Sequence, residues 1–108
     1  MTAIPYTPRR GDIYIAKLPN FPGQHAVRPC VIVSNDSGNR SSDNVIVVPV
    51  TSRQKKPIPT HANLAEGTAL CEGITTIKKT NLLKWIGTCR GTDQAEELNK
   101  ALSVAVGL

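Results

Sequence analysis

The stretch VRPCVIVSN, Val27–Asn35, places an arginine and a proline at the start of an apolar run that is typical of a buried strand. A second run, NVIVVPVTS at Asn44–Ser52, has the same character, and NDSGNRSSD between them is rich in turn-forming residues. The pattern predicts two core strands joined by a surface loop. Because proline has no backbone N–H, we expect the second strand to bend or to border the sheet near Pro49.

The segments outside this pair predict further short strands. GDIYIAKL, Gly11–Leu18, alternates in the manner of a half-buried strand that starts near Asp12. PNFPGQHA after it contains two prolines and a glycine, which predict an exposed loop without regular pairing. RQKKPIPTHANL predicts a basic loop that proline keeps from forming a long helix. TALCEGITTIK predicts another strand, KTNLL a single helical turn, and KWIGTC a short strand.

The C-terminal stretch TDQAEELNKALSVAVGL predicts one helix, capped by Thr92 or Asp93 and ended by Gly107. Its apolar stripe consists of Ala95, Leu98, Leu102 and Ala105. Several short strands plus one terminal helix, without βαβ alternation, favour a mainly β fold, a compact antiparallel β-barrel with a C-terminal α-helix.

The length and composition bound the class of protein. The 108 residues fit one domain, 1–108, and no window approaches the roughly 20 uncharged apolar residues that span a bilayer. The N-terminus lacks the order of a secretory signal, so we expect a soluble, cytoplasmic protein with no membrane contact. The net charge of +5 points to a polyanionic partner, either a nucleic acid or an acidic protein.

Cysteines and the common catalytic motifs supply no metal or cofactor site. The three cysteines, Cys30, Cys71 and Cys89, have neither C-x-x-C spacing nor paired histidines beside them. We expect them to be free and mostly buried, with no metal bound and no cofactor required. Phosphate-binding loops, nucleophile elbows and zinc-protease helices are likewise absent from the sequence.

VRPCVIVSN followed by VIVVPVTS resembles the MazF/PemK family of toxin endoribonucleases, and the resemblance extends over nearly the whole chain. RGDIYIAKL is similar to the opening strand of that family, PIPTHANL to the strand after its basic loop, and LCEGITTIKKTNLL with the closing helix to its C-terminal part. The resemblance implies an SH3-like barrel of the CcdB/PemK type and a homodimer. It also implies metal-independent cleavage of single-stranded RNA and inhibition by an acidic cognate antitoxin.

The catalytic arginine of the family corresponds to Arg28 and its threonine to Thr51, so the resemblance implies that these two residues form the catalytic pair. This chemistry is reasonable because attack by an RNA 2′-hydroxyl concentrates negative charge on the phosphate. A guanidinium can hold two phosphate oxygens, and a threonine hydroxyl can donate to one oxygen or orient the attacking group.

Two positions depart from the family pattern. The loop before the arginine lacks the acidic residue that many relatives carry, so His25 is a possible base because it alone in that loop titrates near neutrality. Thr75 stands where relatives often have an arginine, which is expected to weaken or retarget substrate binding. Around the pair, residues suited to stacking, base-edge and phosphate contacts with RNA are Phe21, Gln24, Ser52, Arg53, Lys55 and Lys56.

Two alternatives remain at this stage. Toxins of the same fold poison DNA gyrase through the end of the C-terminal helix, but SVAVGL lacks the bulky aromatic residue that such a contact favours. A noncatalytic RNA-binding module is compatible with the missing loop acid and with Thr75.

Overall fold

The computed structural model describes residues 7–20, 24–52 and 56–108. That part of the chain contains seven strands and two α-helices. The strands are β1 (Asp12–Asn20), β2 (Gln24–Ile32), β3 (Asn44–Thr51), β4 (His61–Leu64), β5 (Gly67–Leu70), β6 (Thr75–Lys78) and β7 (Leu82–Thr88). The helices are α1 (Asp36–Ser41) and α2 (Asp93–Ala105), and two 3₁₀ turns cover Cys71–Gly73 and Lys79–Asn81.

All strand pairs are antiparallel, in the order β4-β5-β3-β2-β1-β7, with β6 paired to β3 beside this path. The predicted class, mainly β with a C-terminal helix, is confirmed. The strands do not close into a full barrel, because within the described ranges β6 pairs with β3 and β7 with β1, and no ladder joins β6 to β7. The result is a curled sheet with open edges.

Strand β3 changes partner along its length. Its first half pairs with β6, and Val47, Val48 and Pro49 pair with β2. After Pro49 the strand leaves β2 and pairs with β5 through Val50 and Thr51. The change of partner at Pro49 agrees with the expectation that a residue without an amide N–H would bend the strand or border a ladder.

Apolar side chains form two cores, each built on part of the curled sheet. The first core packs under α2, where Leu98 and Ala101 are buried and the other members of the predicted stripe pack against them. The second core contains Tyr14, Ala16, Leu18, Cys30, Ile32, Val45, Val47, Ile77 and Leu82. Alternating residues of β1 and β2 enter one core or the other, as the twofold side-chain period of a strand requires.

Helix α2 begins and ends as the sequence predicts. Thr92 is the N-cap, although its hydroxyl donates to the Cys89 carbonyl at 2.6 Å instead of capping the helix. Gly107 follows the last turn with a φ of +79°, the left-handed conformation that glycine adopts readily. All three cysteines are free and buried, as expected.

Three segments differ from the sequence-based expectations. Part of the predicted loop PNFPGQHA is paired, with Pro19 opposite His25 and Asn20 opposite Gln24. On the other edge of β1, β7 pairs only as far as Ala16, which leaves Pro19 beside an unpaired edge where its missing N–H is tolerated.

The predicted surface loop NDSGNRSSD contains the short helix α1, because the Asn35 side chain accepts a hydrogen bond from the Gly38 amide at 2.7 Å and caps the helix. The predicted strand TALCEGITTIK is interrupted by the 3₁₀ turn Cys71–Gly73, which divides it into β5 and β6. The predicted helical turn in KTNLL is confirmed as the second 3₁₀ turn. In the ranges that the structure describes, no helix is long and apolar enough to cross a membrane.

Candidate active site

The partner change of β3 opens a cleft between β2 and β3. Their ladder ends with Cys30 opposite Pro49, and continuing that register by two residues would set Arg28 opposite Thr51. The β2–β3 ladder stops before that pair, while on the other edge of β3 Thr51 pairs with Thr68 of β5. Arg28 and Thr51, which the sequence singled out, therefore lie on the two strands that border this cleft, named here the fork.

The fork holds an open cavity of about 450 Å³. Its lining residues are Val27, Arg28, Pro29, Val50, Thr51, Ser52 and Leu70. Three sequence-predicted site residues, Arg28, Thr51 and Ser52, are thus brought together in one cleft. The cleft combines a cation and two hydroxyls with an apolar floor, which suits a ligand that is charged on one side.

Arg28 lies on β2 opposite Ala16 of β1 and is exposed. Within residues 7–20, 24–52 and 56–108, no carboxylate forms a salt bridge with its guanidinium. An exposed arginine is ordinarily solvated, so the missing salt bridge by itself assigns no role to Arg28. Because Arg28 lines the cleft, its guanidinium is available to an anionic ligand there.

Thr51 is the last residue of β3 and is half-buried. Its backbone is packed against Gly67, where an added Cβ would overlap the Thr51 carbonyl oxygen and come 3.0 Å from the carbonyl carbon. Gly67 also has a φ of +142°, which side-chain-bearing residues rarely adopt. Sequence reasoning missed this contact, and the only available signal was a glycine between two short strands.

The other predicted site residues fall into two groups. Phe21, Arg53 and Lys55 lie outside the described residues. Gln24 and His25 begin β2, where they pair with Asn20 and Pro19. The structure describes the backbone of these two residues and not their side chains.

Lys56 is exposed and does not line the cleft. Thr75 opens β6 opposite Val47 and does not line the cleft either. Of the predicted RNA-binding residues whose side chains the structure describes, Ser52 lines the cleft and Lys56 does not.

Two nearby titratable groups are unsuited to nucleophilic or base chemistry in the cleft. Burial raises the pKa of the Cys30 thiol to about 12, so it stays protonated at neutral pH. His61 lies outside the cleft lining, and its Nε2 is 3.0 Å from Glu72 Oε2. Burial raises the pKa of Glu72. Hydrogen bonds from His61, its own amide and Thr60 outweigh this effect, so the pKa of Glu72 lies below its ordinary value.

In the part of the chain that the structure describes, no group of three or more His, Cys, Asp or Glu side chains is close enough together to hold a metal ion. The cleft offers a guanidinium and hydroxyl groups in the lining of one cavity. Such groups can bind a phosphodiester and stabilise the charge that develops on it.

Comparison with known proteins gives the same family that the sequence motifs resemble. A sequence profile for the PemK-like, MazF-like toxin of type II toxin-antitoxin systems matches residues 9–106. A curated endoribonuclease MazF of Staphylococcus saprophyticus is 38% identical over 111 residues, covering 93% of this chain and 92% of that protein.

Solved structures agree with this at the level of the fold. An endoribonuclease from a mycobacterial species matches with a TM-score of 0.81 and 28% identity, over 95% of this chain and 94% of that chain. A mycobacterial endoribonuclease in complex with its cognate antitoxin matches with a TM-score of 0.80 and 29% identity, over 94% and 96% of the two chains. The resemblance first seen in the motifs is confirmed, and this chain belongs to the PemK-like, MazF-like toxin family of type II toxin–antitoxin systems, a family of endoribonucleases.

Proposed function

We propose that this chain is a sequence-selective toxin that cleaves single-stranded RNA in the cleft between β2 and β3, with Arg28 and Thr51 as its catalytic pair. The observation that supports this most directly is the fork itself, because it sets an arginine without a salt bridge opposite a threonine in an open cavity. The substrate class rests on the positive net charge and on the endoribonucleases among the relatives.

In the proposed reaction, the 2′-hydroxyl of the RNA attacks the adjacent phosphorus. Its proton leaves to a base, a new bond forms between the 2′ oxygen and phosphorus, and the bond to the 5′ oxygen breaks as that oxygen takes up a proton. The Arg28 guanidinium binds two nonbridging oxygens as their charge grows, and the Thr51 hydroxyl donates to one oxygen or orients the attacking group. The products are a 2′,3′-cyclic phosphate and a 5′-hydroxyl.

His25 is kept as a possible base, because an imidazole ordinarily has a pKa near neutrality and this residue precedes Arg28 on β2. Ser52 already lies in the cleft and is suited to hydrogen-bond the RNA. Contacts with bases or phosphates from the two flanking loops are assigned to Phe21, Gln24, Arg53, Lys55 and Lys56. The last three residues would carry the salt dependence of binding.

Two protein partners belong to this proposal. One is a second copy of the chain, forming a homodimer. The other is a small acidic antitoxin whose disordered tail occupies the cleft, where carboxylates take the place of phosphates. The mycobacterial relative solved with its cognate antitoxin supports the second partner.

The test is to incubate the purified protein with a mixed-sequence RNA in EDTA and to determine the end groups of the fragments. Cyclic phosphates and 5′-hydroxyls without added metal are expected. Fragments with 5′-phosphates, or cleavage only after Mg²⁺ is added, would contradict the mechanism. RNA binding without cleavage would favour a binding module, and inhibition of DNA gyrase without any RNA cleavage would favour the gyrase-poisoning alternative.

A further inference from the structure

An exposed tryptophan stands on the last strand of the sheet path, outside the proposed active site. Trp85 is the only tryptophan of the sequence, and 43% of its surface is exposed. It lines an open cavity of about 610 Å³ together with Arg9, Asp12, Thr88 and Arg90. None of these residues takes part in the proposed reaction, so this surface, named here the Trp85 surface, needs a separate explanation.

The backbone of β7 holds Trp85 at the rim of the sheet. The β1–β7 register shifts between Ile13 and Tyr14 and again between Ile15 and Ala16. Lys84 and Trp85 therefore have a register shift on each side of them. Bulges of this kind turn a side chain away from its regular direction. Tyr14, the cross-strand partner of Trp85, is fully buried, whereas the indole remains open to solvent.

The charges around the indole favour an anionic ligand. Asp12 is only 5% exposed, and its carboxylate accepts the Arg9 amide at 3.0 Å, so one hydrogen-bonded carboxylate stands against two guanidiniums in the cavity lining. The Arg90 guanidinium is held at 3.1 Å from both the Asp36 carboxylate and the Arg10 carbonyl. Among the described residues the Arg9 guanidinium has no salt bridge. The indole is therefore flanked by one anchored and one unpaired guanidinium.

This combination matches the chemistry of single-stranded nucleic acid, in which bases stack on aromatic rings and phosphates meet arginine. A second copy of the chain is the other candidate occupant. Because each copy has a net charge of +5, this occupant is less favoured at an arginine-rich surface than a polyanion is.

We propose that the Trp85 surface is a second contact for the RNA substrate, with a base stacked on Trp85 and phosphates bound by Arg9 and Arg90. The proposal rests on the function proposed above, since it concerns the same substrate. Trp85 pairs with Tyr14 and Arg28 with Ala16, so the two residues lie on the strands that flank β1, about 10 Å apart laterally and offset by two residues along it. Because Tyr14 and Ala16 are buried, an RNA must pass around them, and we expect a 20-nucleotide strand to be long enough to contact both sites.

The single tryptophan provides a direct test. A 20-nucleotide single-stranded pool with 2′-O-methyl groups, which block internal attack, is titrated into the wild-type protein while tryptophan fluorescence and the anisotropy of end-labelled oligonucleotide are recorded. We expect saturable quenching that follows binding and weakens with added salt. Arg28→Ala should retain the quenching while losing cleavage.

Variants then separate the second contact from the catalytic cleft. Trp85→Ala should weaken binding of the 20-mer about tenfold and raise KM with little change in kcat. Arg9→Gln should weaken binding and reduce its salt dependence. Leu83→Ala, which removes another exposed apolar side chain from β7, is the matched control and should change neither value.

Two results would overturn this inference while leaving the proposed function intact. The first is RNA cleavage with an unchanged KM in Trp85→Ala, together with oligonucleotide binding that leaves the fluorescence unaltered. The second is a change of oligomeric state in Trp85→Ala by sedimentation, which would assign the surface to an interface between copies. Absence of both binding and cleavage in the wild-type protein would instead refute the proposed function along with it.

Discussion

Gly67 and Thr51 lie so close that the space for a side chain on Gly67 is already occupied by the Thr51 carbonyl group. The turn between β4 and β5 thereby rests directly on the backbone of the residue that faces Arg28 across the cleft. Gly67 is a positioning residue for Thr51, because any Cβ at this point pushes the end of β3 aside.

Gly67→Ala is therefore expected to lower both stability and RNA cleavage. The φ of +142° alone should cost about 1–3 kcal/mol in the free energy of unfolding, and displacement of Thr51 should reduce the cleavage rate at least tenfold. Urea denaturation and single-turnover cleavage measure the two effects. Gly91→Ala is the control, since Gly91 also has a positive φ but nothing within 4 Å of an added Cβ. Equal cleavage by the two variants would refute the positioning role.

Substitution of the proposed catalytic pair tests the centre of the mechanism. Arg28→Ala and Thr51→Ala should each lose about 3 kcal/mol or more of transition-state stabilisation, on the order of a hundredfold in rate, while the fold is kept. Arg28→Lys keeps the charge but not the planar fork and should recover only part of the rate. Normally folded alanine variants that cut RNA at the wild-type rate would show that the pair is wrongly assigned.

Asp36 gives a prediction for acid stability. The Arg10 amide donates to its carboxylate at 2.7 Å, and this bond, with help from Arg90, holds the pKa of Asp36 below its usual range. A lowered pKa in the folded state stabilises the protein above the ordinary carboxyl pKa, and this stabilisation is lost as pH falls through the folded value. Asp36→Asn should thus be less stable than wild type at neutral pH.

The stability difference between wild type and Asp36→Asn should shrink below about pH 4, where the carboxylate becomes protonated. Denaturant titrations across pH 2–7 measure it. The control is Asp43→Asn, because Asp43 is exposed and no described residue forms a salt bridge with it. A difference that stays constant down to pH 2 would contradict the prediction.

The buried thiols should react only when the protein opens. Burial raises the pKa of Cys30 to about 12 and that of Cys71 to about 11, and it also raises the pKa of Cys89. Since the thiolate is the reactive form, alkylation at pH 8 should be slow in the native protein and should accelerate with urea. Mass spectrometry of the alkylated protein checks this, and rapid native labelling of Cys30 would show that it is not buried.

Competition between antitoxin and RNA tests the proposed occupation of the cleft. Titration of the cognate antitoxin, expected to be encoded just upstream, should displace a noncleavable RNA analogue, and the competition should weaken as salt is added. Simultaneous binding with unchanged affinities would leave only a remote effect on the toxin.

The sequence predicts much of this fold because its decisive signals are local. The apolar runs around Cys30 and Val47, the proline at position 49 and the stripe of α2 all depend on short-range periodicity, and each predicts its element correctly. The pairing of Pro19 with His25 was missed because two prolines and a glycine in that segment indicate a loop locally, whereas the β1–β2 ladder continues through it.

The candidate site is predictable to a different degree. Arg28 and Thr51 were found through a motif, and the structure adds that both line one open cavity. Gly67 and Trp85 carry no motif, and their importance appears only when distant strands are brought together. Contacts of that kind depend on tertiary register, which no local pattern encodes.

The change of partner in β3 has a consequence for how such a toxin acquires new target sequences. Strand β3 is anchored in the second core through Val45 and Val47, and Thr51 at its end pairs with β5. With Arg28 and Thr51 as the proposed catalytic pair, we expect insertions or exchanges in the basic segment after Ser52 to leave this anchoring in place. The proposal therefore predicts that the scaffold can be retargeted to another RNA word by rewriting a loop, without rebuilding the centre that breaks the bond.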